Sequence, residues 1–338
     1  MGEKMKLIAE TAWHHEGDYS FMKNLVSEIV TKTNADIVKM HITLDMDEYM
    51  DPNHEAYEMV KPWLFSKSQW SELIAIVRDN DKEVMLLLND NKAIEFGLSF
   101  NPEYVEIHSV CLNDVFMLKE LKQRVAEETK IVLGVGGTSI DEIEYAINFL
   151  KHPNTILMFG FQNYPTVYED VNLNKIRRLM RLFDNFEYGY ADHTAWDSEY
   201  NELVTLLGAA SGMTYIEKHV TTHYGENRVD WPAAISIDMF NNLYKKVKVL
   251  DGLNGNGALS MNEGELSYSI FGPMKKAAVF KTGISKGDIL TLEMIKFIRT
   301  KEISDMSQVD VVKSIGKKIN KNLENGTILM NKYLIDKE

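Results

Sequence analysis

Short apolar runs recur along the chain: KLIAE from residue 6, DIVKM from 36, VMLLLN from 84, YVEIHS from 104, KIVLGVG from 130, TILMFG from 155, YGYADH from 188 and YIEKHV from 215. Each is strand-sized and followed by a longer amphipathic stretch. In SIDEIEYAINFL, for example, Ser139 and Glu142 form a capping box, and Ile143, Ala146, Ile147 and Leu150 share one helical face. Eight strands alternating with helices over about 250 residues predict an α/β fold, a (β/α)8 TIM barrel. A doubly wound open sheet is the competing arrangement. Its glycine-rich dinucleotide fingerprint is missing from the first turn, AWHHEGD.

The composition shifts after MFNNLYKKVKVL, where the Gly/Asn-rich DGLNGNGALS begins. This divides the chain into a barrel over 1–250, a linker over 251–274 and a small domain over 275–338. Within the last part KGDILTLEMI, from Lys286, and NGTILMNKYL, from Asn325, repeat one order of turn, apolar pair, polar and apolar residue. Two copies of a strand-turn unit predict pseudo-twofold symmetry.

A net charge of -13 excludes nucleic acid as the main partner, because a phosphate backbone needs a basic face. The single cysteine, Cys111, can form no internal disulfide. The opening MGEKMKLIAE has neither a signal-peptide core nor a myristoylation motif, and no apolar run approaches the ~20 residues of a membrane span. The expectation is a cytoplasmic protein with no membrane partner.

In a barrel of this kind, side chains at the C-terminal ends of the strands face the active site. Seven of the nine histidines fall there or just beyond: His14, His15, His41, His108, His193, His219 and His223. His193 and His219 end consecutive strands, so their imidazoles can converge on a divalent metal. Glu10 and Lys39 end the first two strands, where a buried charge needs a partner. Asp192 and Glu217 are expected to support the barrel or to orient a histidine. Met5, Met40, Met85 and Met158 are expected to fill the core. The run GVGGTS at 134–139 could offer backbone amides to an anion, or simply permit a tight turn.

IAETAWHHEGD, ADIVKMH, FSKSQWSEL, NYPTVYEDVNL, YGYADHT, IEKHVTT and ISKGDILTLEMI stand in the order and spacing of the sialic acid (nonulosonate) synthases. The chain resembles that family over nearly its whole length. The resemblance implies a TIM barrel followed by an antifreeze-like (SAF) domain, and condensation of phosphoenolpyruvate with an open-chain N-acyl sugar aldehyde. It implies a divalent metal, manganese, on His193 and His219, and a catalytic Glu10. It also implies that Lys39 meets the donor carboxylate, that Asp230 binds the sugar, and that His41, Asn89, His108, Ser109, Gln162 and Tyr164 line the substrate site. Finally, it implies a domain-swapped homodimer in which Arg299 reaches the partner's sugar.

The chain also departs from the family pattern. Glu106 replaces a phosphate-binding lysine, Gly134 and Ala191 each replace a hydroxyl residue, and Gln162 replaces an asparagine. An anion in place of a cation beside a phosphate is unfavourable. Three readings follow. Phosphoenolpyruvate, or a related enol donor, is held through other groups such as His108, His41 and the glycine-turn amides. Alternatively, the protein is a metal-dependent aldolase or lyase on a related keto acid. The third is a sugar-binding barrel without catalysis.

Overall fold

The computed structural model describes residues 4–160 and 163–336. Strands form where the apolar runs stand: β1 (Lys6–Glu10), β2 (Ile37–Ile42), β3 (Glu83–Leu88), β4 (Tyr104–Ile107), β5 (Lys130–Gly134), β6 (Thr155–Phe159), β7 (Glu187–Ala191) and β8 (Tyr215–Thr221). Each pairs in parallel with the next, and β8 closes on β1 with Glu10 opposite His219. Among the described residues this is a closed parallel barrel, to which the two-residue strand Ile235–Ser236 adds beside β8.

A helix packs outside after each strand: Tyr19–Lys32, Lys67–Arg78, Asn91–Leu98, Val115–Arg124, Ile140–Leu150, Leu173–Leu182, Asn201–Ala210 and Ile237–Asn254. The box at Ser139 and Glu142 caps its helix from both directions, and Ile143, Ala146 and Leu150 are buried against the barrel. Among the described residues no helix is long and apolar enough to cross a membrane.

Side chains two apart on a strand share a face, which stacks the barrel interior in layers. At the N-terminal rim Lys6 pairs with Glu83 at 2.7 Å and Lys130 with Glu187 at 2.8 Å, and both ammonium groups also reach tyrosine hydroxyls, Tyr104 and Tyr215. Above lies an apolar layer of Ile8, Ile37, Met85, Val132 and Ile156. Two residues beyond Ile8, Ile37, Tyr104 and Tyr215 come Glu10, Lys39, Glu106 and Glu217, and beyond these His41, His108, His193 and His219. The polar layers therefore sit at the C-terminal mouth.

The chain divides into Met1–Asn256 and Gly257–Glu338. The stretch read as a linker is partly regular: residues 251–254 finish a barrel helix, and Glu263–Tyr268 is a helix capped by Asn262 and Glu265. In the smaller unit Ala277–Phe280 pairs antiparallel with Ile295–Ile298, and Lys318–Ile319 with Leu334–Ile335. The sequence echo has a structural counterpart, because a single 3-10 turn precedes the returning strand in both copies, Leu292–Met294 and Asn331–Tyr333. Phe280, Leu290, Ile295, Ile319 and Leu329 form part of its core.

Candidate active site and metal centre

The mouth of the barrel encloses a cavity of about 190 Å³. Glu10, Lys39, His41, Asn89, His108, Ser109, Tyr164, His193, His219 and Asp230 all line it. Two expected residues stand apart. Gln162 lies outside the described residues, and Arg299 belongs to the smaller unit, where its guanidinium donates to the Pro273 carbonyl at 2.8 and 2.5 Å. Trp13, Tyr49, Leu87 and Phe159 also line the cavity without any local sequence signal. Met158, expected only in the core, borders it too.

The deepest feature is a group of three potential ligands, Glu10, His193 and His219, all buried and with donor atoms within 4.8 Å of one another. His193 Nδ1–H donates to the Ala191 carbonyl at 3.1 Å, which turns Nε2 and its lone pair to His219 Nε2, 3.1 Å away. Burial and the neighbouring His219 hold His193 down to about 3, so the ring is neutral. Glu10 Oε2 lies 3.4 Å from His219 Nε2 and accepts no hydrogen bond. Burial alone would raise the Glu10 carboxyl, but Lys39, His219 and His41 outweigh it and hold it well below its ordinary range. A buried anionic oxygen without a donor, facing two imidazole nitrogens, fits a divalent cation. The second Glu10 oxygen bonds His41 Nε2 and so orients it.

Beside this group Lys39 is enclosed by carboxylates. Its Nζ stands 3.0 Å from both oxygens of Glu217, 2.8 Å from Glu106 and 3.4 Å from Glu10. Burial would lower the ammonium, but the three acids more than reverse this and raise it. Burial, followed by repulsion from Glu10, pushes Glu217 well above the usual carboxylate range. Burial also raises Glu106, outweighing the pull of Lys39. One cation cannot keep three buried carboxylates ionised, and Glu10 is the one that stays charged.

Asp192 and Glu217, expected to support the barrel or to orient a histidine, face opposite ways. Glu217 lies inside the barrel with Lys39. Asp192 points outward, accepting from Lys218 at 3.1 Å and from Thr194 Oγ1 and the Thr205 hydroxyl. Of the other mouth histidines, His14 and His15 are buried in the turn after β1, His14 donating to the Val229 carbonyl at 2.7 Å and His15 packing on Phe65. His223 stacks on Phe21. None of these three lines the cavity.

The wall at Glu106, Gly134 and Ala191 is closed and largely committed. A Cβ at Gly134 would stand 2.8 Å from the backbone nitrogen of Ser109, so this glycine permits close approach of β5 to the turn after β4. Gly134→Ser should lose about 1–3 kcal/mol in urea unfolding through overpacking, and an unchanged midpoint would refute the contact. At the start of the helix Ile140–Leu150, Glu142 Oε2 accepts from Ser139 N at 2.7 Å and from its hydroxyl at 2.8 Å, which commits that one amide of the glycine turn. Tyr164 gives its hydroxyl to the Asp230 carbonyl and Asn89 donates to Thr43 at 3.0 Å. Cys111 is half-buried against the core, and burial pushes its thiol up to about 11, so it packs as a neutral side chain.

A closed parallel barrel with a carboxylate and two histidines at its C-terminal mouth is a (β/α)8 barrel with a candidate metal site. The chain belongs to the NeuB family, which matches residues 26–258, more than half of the sequence. It is 25% identical over 350 residues to the N,N'-diacetyllegionaminic acid synthase of Legionella pneumophila, spanning 96% of this chain and 93% of that protein. To the N-acetylneuraminate-9-phosphate synthase of Homo sapiens it is 22% identical over 338 residues, spanning 96% and 91%. Among solved structures, an N-acetylneuraminic acid synthetase from Leptospira borgpetersenii superposes with a TM-score of 0.71 at 24% identity, covering 78% of this chain and 90% of that one, a likeness of fold.

Proposed function

We propose that this chain is a metal-assisted transferase that joins a three-carbon enol donor, phosphoenolpyruvate or a close relative of it, to the aldehyde carbon of an open-chain N-acyl sugar. The product would be a nonulosonate for surface polysaccharide, made in the cytoplasm. The observation that carries this reading is the buried Glu10–His193–His219 group at the mouth of a NeuB-family barrel. Glu10 Oε2 and the two histidine Nε2 atoms would hold a divalent ion, manganese, which supplies a Lewis acid for the sugar carbonyl. Glu10 Oε1 fixes the His41 ring beside the reacting carbons. On the sugar side, Asp230 is anchored by the Trp13 amide at 2.9 Å and by Tyr164.

Manganese-loaded protein offered N-acyl sugars with phosphoenolpyruvate, and in parallel with pyruvate, should yield a metal-dependent adduct three carbons longer, read by mass spectrometry. No adduct from either donor with any sugar in a broad panel would sink the reading. The smaller unit is read as an antifreeze-like domain that lends Arg299 to the partner's barrel in a swapped homodimer. Mixing Arg299→Ala with Glu10→Ala protein should then restore up to about a quarter of wild-type activity, since one mixed-dimer site in two is intact. Activity no higher than that of the separate variants would count against the exchange.

A second reading, a metal-dependent aldolase or lyase on a related keto acid, is favoured by one observation: the carboxylate of Glu106 stands 2.8 Å from Lys39, where a phosphate would need a free cation.

A further inference from the structure

We infer that His14, in the buried turn after β1, is a positioning residue of the metal centre: its Nε2 lone pair receives the Nδ1–H of His219 and so orients that ring. This role rests on the reading of Glu10, His193 and His219 as the centre. His219 presents Nε2 to His193 Nε2 at 3.1 Å and to Glu10 Oε2 at 3.4 Å. An imidazole that ligates through Nε2 carries its proton on Nδ1, and that group nearly always donates to a partner behind it. Among the described residues His219 Nδ1 is buried with no hydrogen-bond partner.

His14 holds the complementary orphan. Its Nδ1 stands 2.7 Å from the Val229 carbonyl, which can only accept, so that nitrogen carries the proton. Nε2 is left as an acceptor, and among the described residues it too is buried without a partner. A second proton there would have nothing to bond and would charge a ring that is 1% exposed. The two rings are neighbours, with centroids 5.8 Å apart and planes at 87°. Rings joined by one N–H···N bond have centroids about 5 Å apart whatever the angle between their planes, so a shift of under about 1 Å joins these two. His15 cannot serve in the same way, because its Nδ1 accepts from the Gly17 amide at 3.1 Å and its ring packs on Phe65 and Trp70.

The turn that carries His14 is held by the loop after β8. Arg228 Nε donates to the His14 carbonyl at 2.7 Å, the Val229 amide to Glu16 at 2.7 Å, and the Trp13 amide to Asp230 at 2.9 Å. Together with the bond from His14 Nδ1, these tie residues 13–16 to residues 228–230. A ring anchored at Nδ1 on a fixed carbonyl keeps its Nε2 lone pair in one direction, as a group that orients a ligand must. His14 does not line the cavity, so it acts through His219 and touches no substrate.

Two substitutions in the full-length protein separate this role from a purely structural one. Asparagine places its amide nitrogen near the position of an imidazole Nδ1, so His14→Asn keeps the donation to Val229 and loses the acceptor behind His219. Glutamine reaches the position of Nε2, so His14→Gln keeps an acceptor and loses the donation. Calorimetric titration with manganese should find His14→Asn about 10–100-fold weaker than wild type and His14→Gln close to wild type. Urea unfolding of metal-free protein should give the reverse order, with the midpoint of His14→Asn near wild type and that of His14→Gln lower. Full manganese affinity in His14→Asn would overturn the role and leave the metal centre standing. So would a folded His14→Gln that binds no more tightly than His14→Asn, or a His14→Asn that fails to fold, since packing of the ring would then be what the turn needs. If His14→Gln fails to fold, the affinity of His14→Asn still decides. No manganese binding by the wild type would overturn both the role and the metal centre.

Discussion

His193→Ala is expected to abolish metal binding and, with it, carbon–carbon bond formation, while leaving the protein folded. His193 Nδ1 is tied to the Ala191 carbonyl, so its Nε2 lone pair faces His219 Nε2 at 3.1 Å, and Glu10 Oε2 stands 3.4 Å from that same His219 nitrogen. A divalent cation held by both Nε2 atoms and by Glu10 Oε2 would replace the direct contact between the two rings. Loss of groups that merely orient a ligand typically weakens a metal site 10–100-fold, so loss of one of three direct ligands should exceed ~100-fold. Activity should fall by at least ~10³, because removing the Lewis acid removes several kcal/mol of charge stabilisation. Calorimetric titration with manganese and elemental analysis of the dialysed protein read the first effect directly. The melting temperature of metal-free protein should drop little, since the truncation opens onto a cavity and relieves the imidazole contact. Stoichiometric manganese in the variant, with full activity, would remove His193 from the metal centre.

The barrel was legible because strands covered on both faces read as compact apolar runs, and each is punctuated by a helix with its own start signal, as at Ser139. The convergence of His193 and His219 was legible for a related reason: a histidine ending a buried strand has few roles, and β7 and β8 are neighbours in sequence and space. Glu217 was within reach of the same logic, because it is two residues from His219 and must share its face, whereas Asp192 is one residue from His193 and must not. The partners of Lys39 were hidden, because Glu10, Glu106 and Glu217 come from three other strands and meet it only once the barrel closes. Gly134 was ambiguous for a different reason. Glycine at a strand end reads equally as turn freedom or close approach, and only the 2.8 Å approach to Ser109 N decides it.

Lys39→Met should give the largest loss of stability at the site. The substitution keeps the length of the side chain and removes the charge that three buried carboxylates share. Breaking a buried ionic cluster by deleting one partner typically costs about 3–5 kcal/mol, because the remaining charges stay desolvated. The loss should depend on pH, and its sign follows from Glu217 and Glu106. Both are raised in the folded protein above their ordinary value of 4.5, so the folded state binds more protons than the unfolded one. Stability tied to such groups is present below about 4.5 and lost as pH rises above it. Lys39 limits that loss in the native protein by stabilising the ionised forms. Without it the carboxylates are raised further and the decline steepens. Urea unfolding of metal-free protein should therefore show the variant close to wild type at pH 5 and several kcal/mol weaker at pH 8. An equal deficit at both pH values would mean that packing rather than charge sets the cost. A deficit below about 1 kcal/mol at pH 8 would mean that the carboxylates reach solvent or one another without Lys39, and that the enclosure is looser than its 2.8–3.4 Å distances imply.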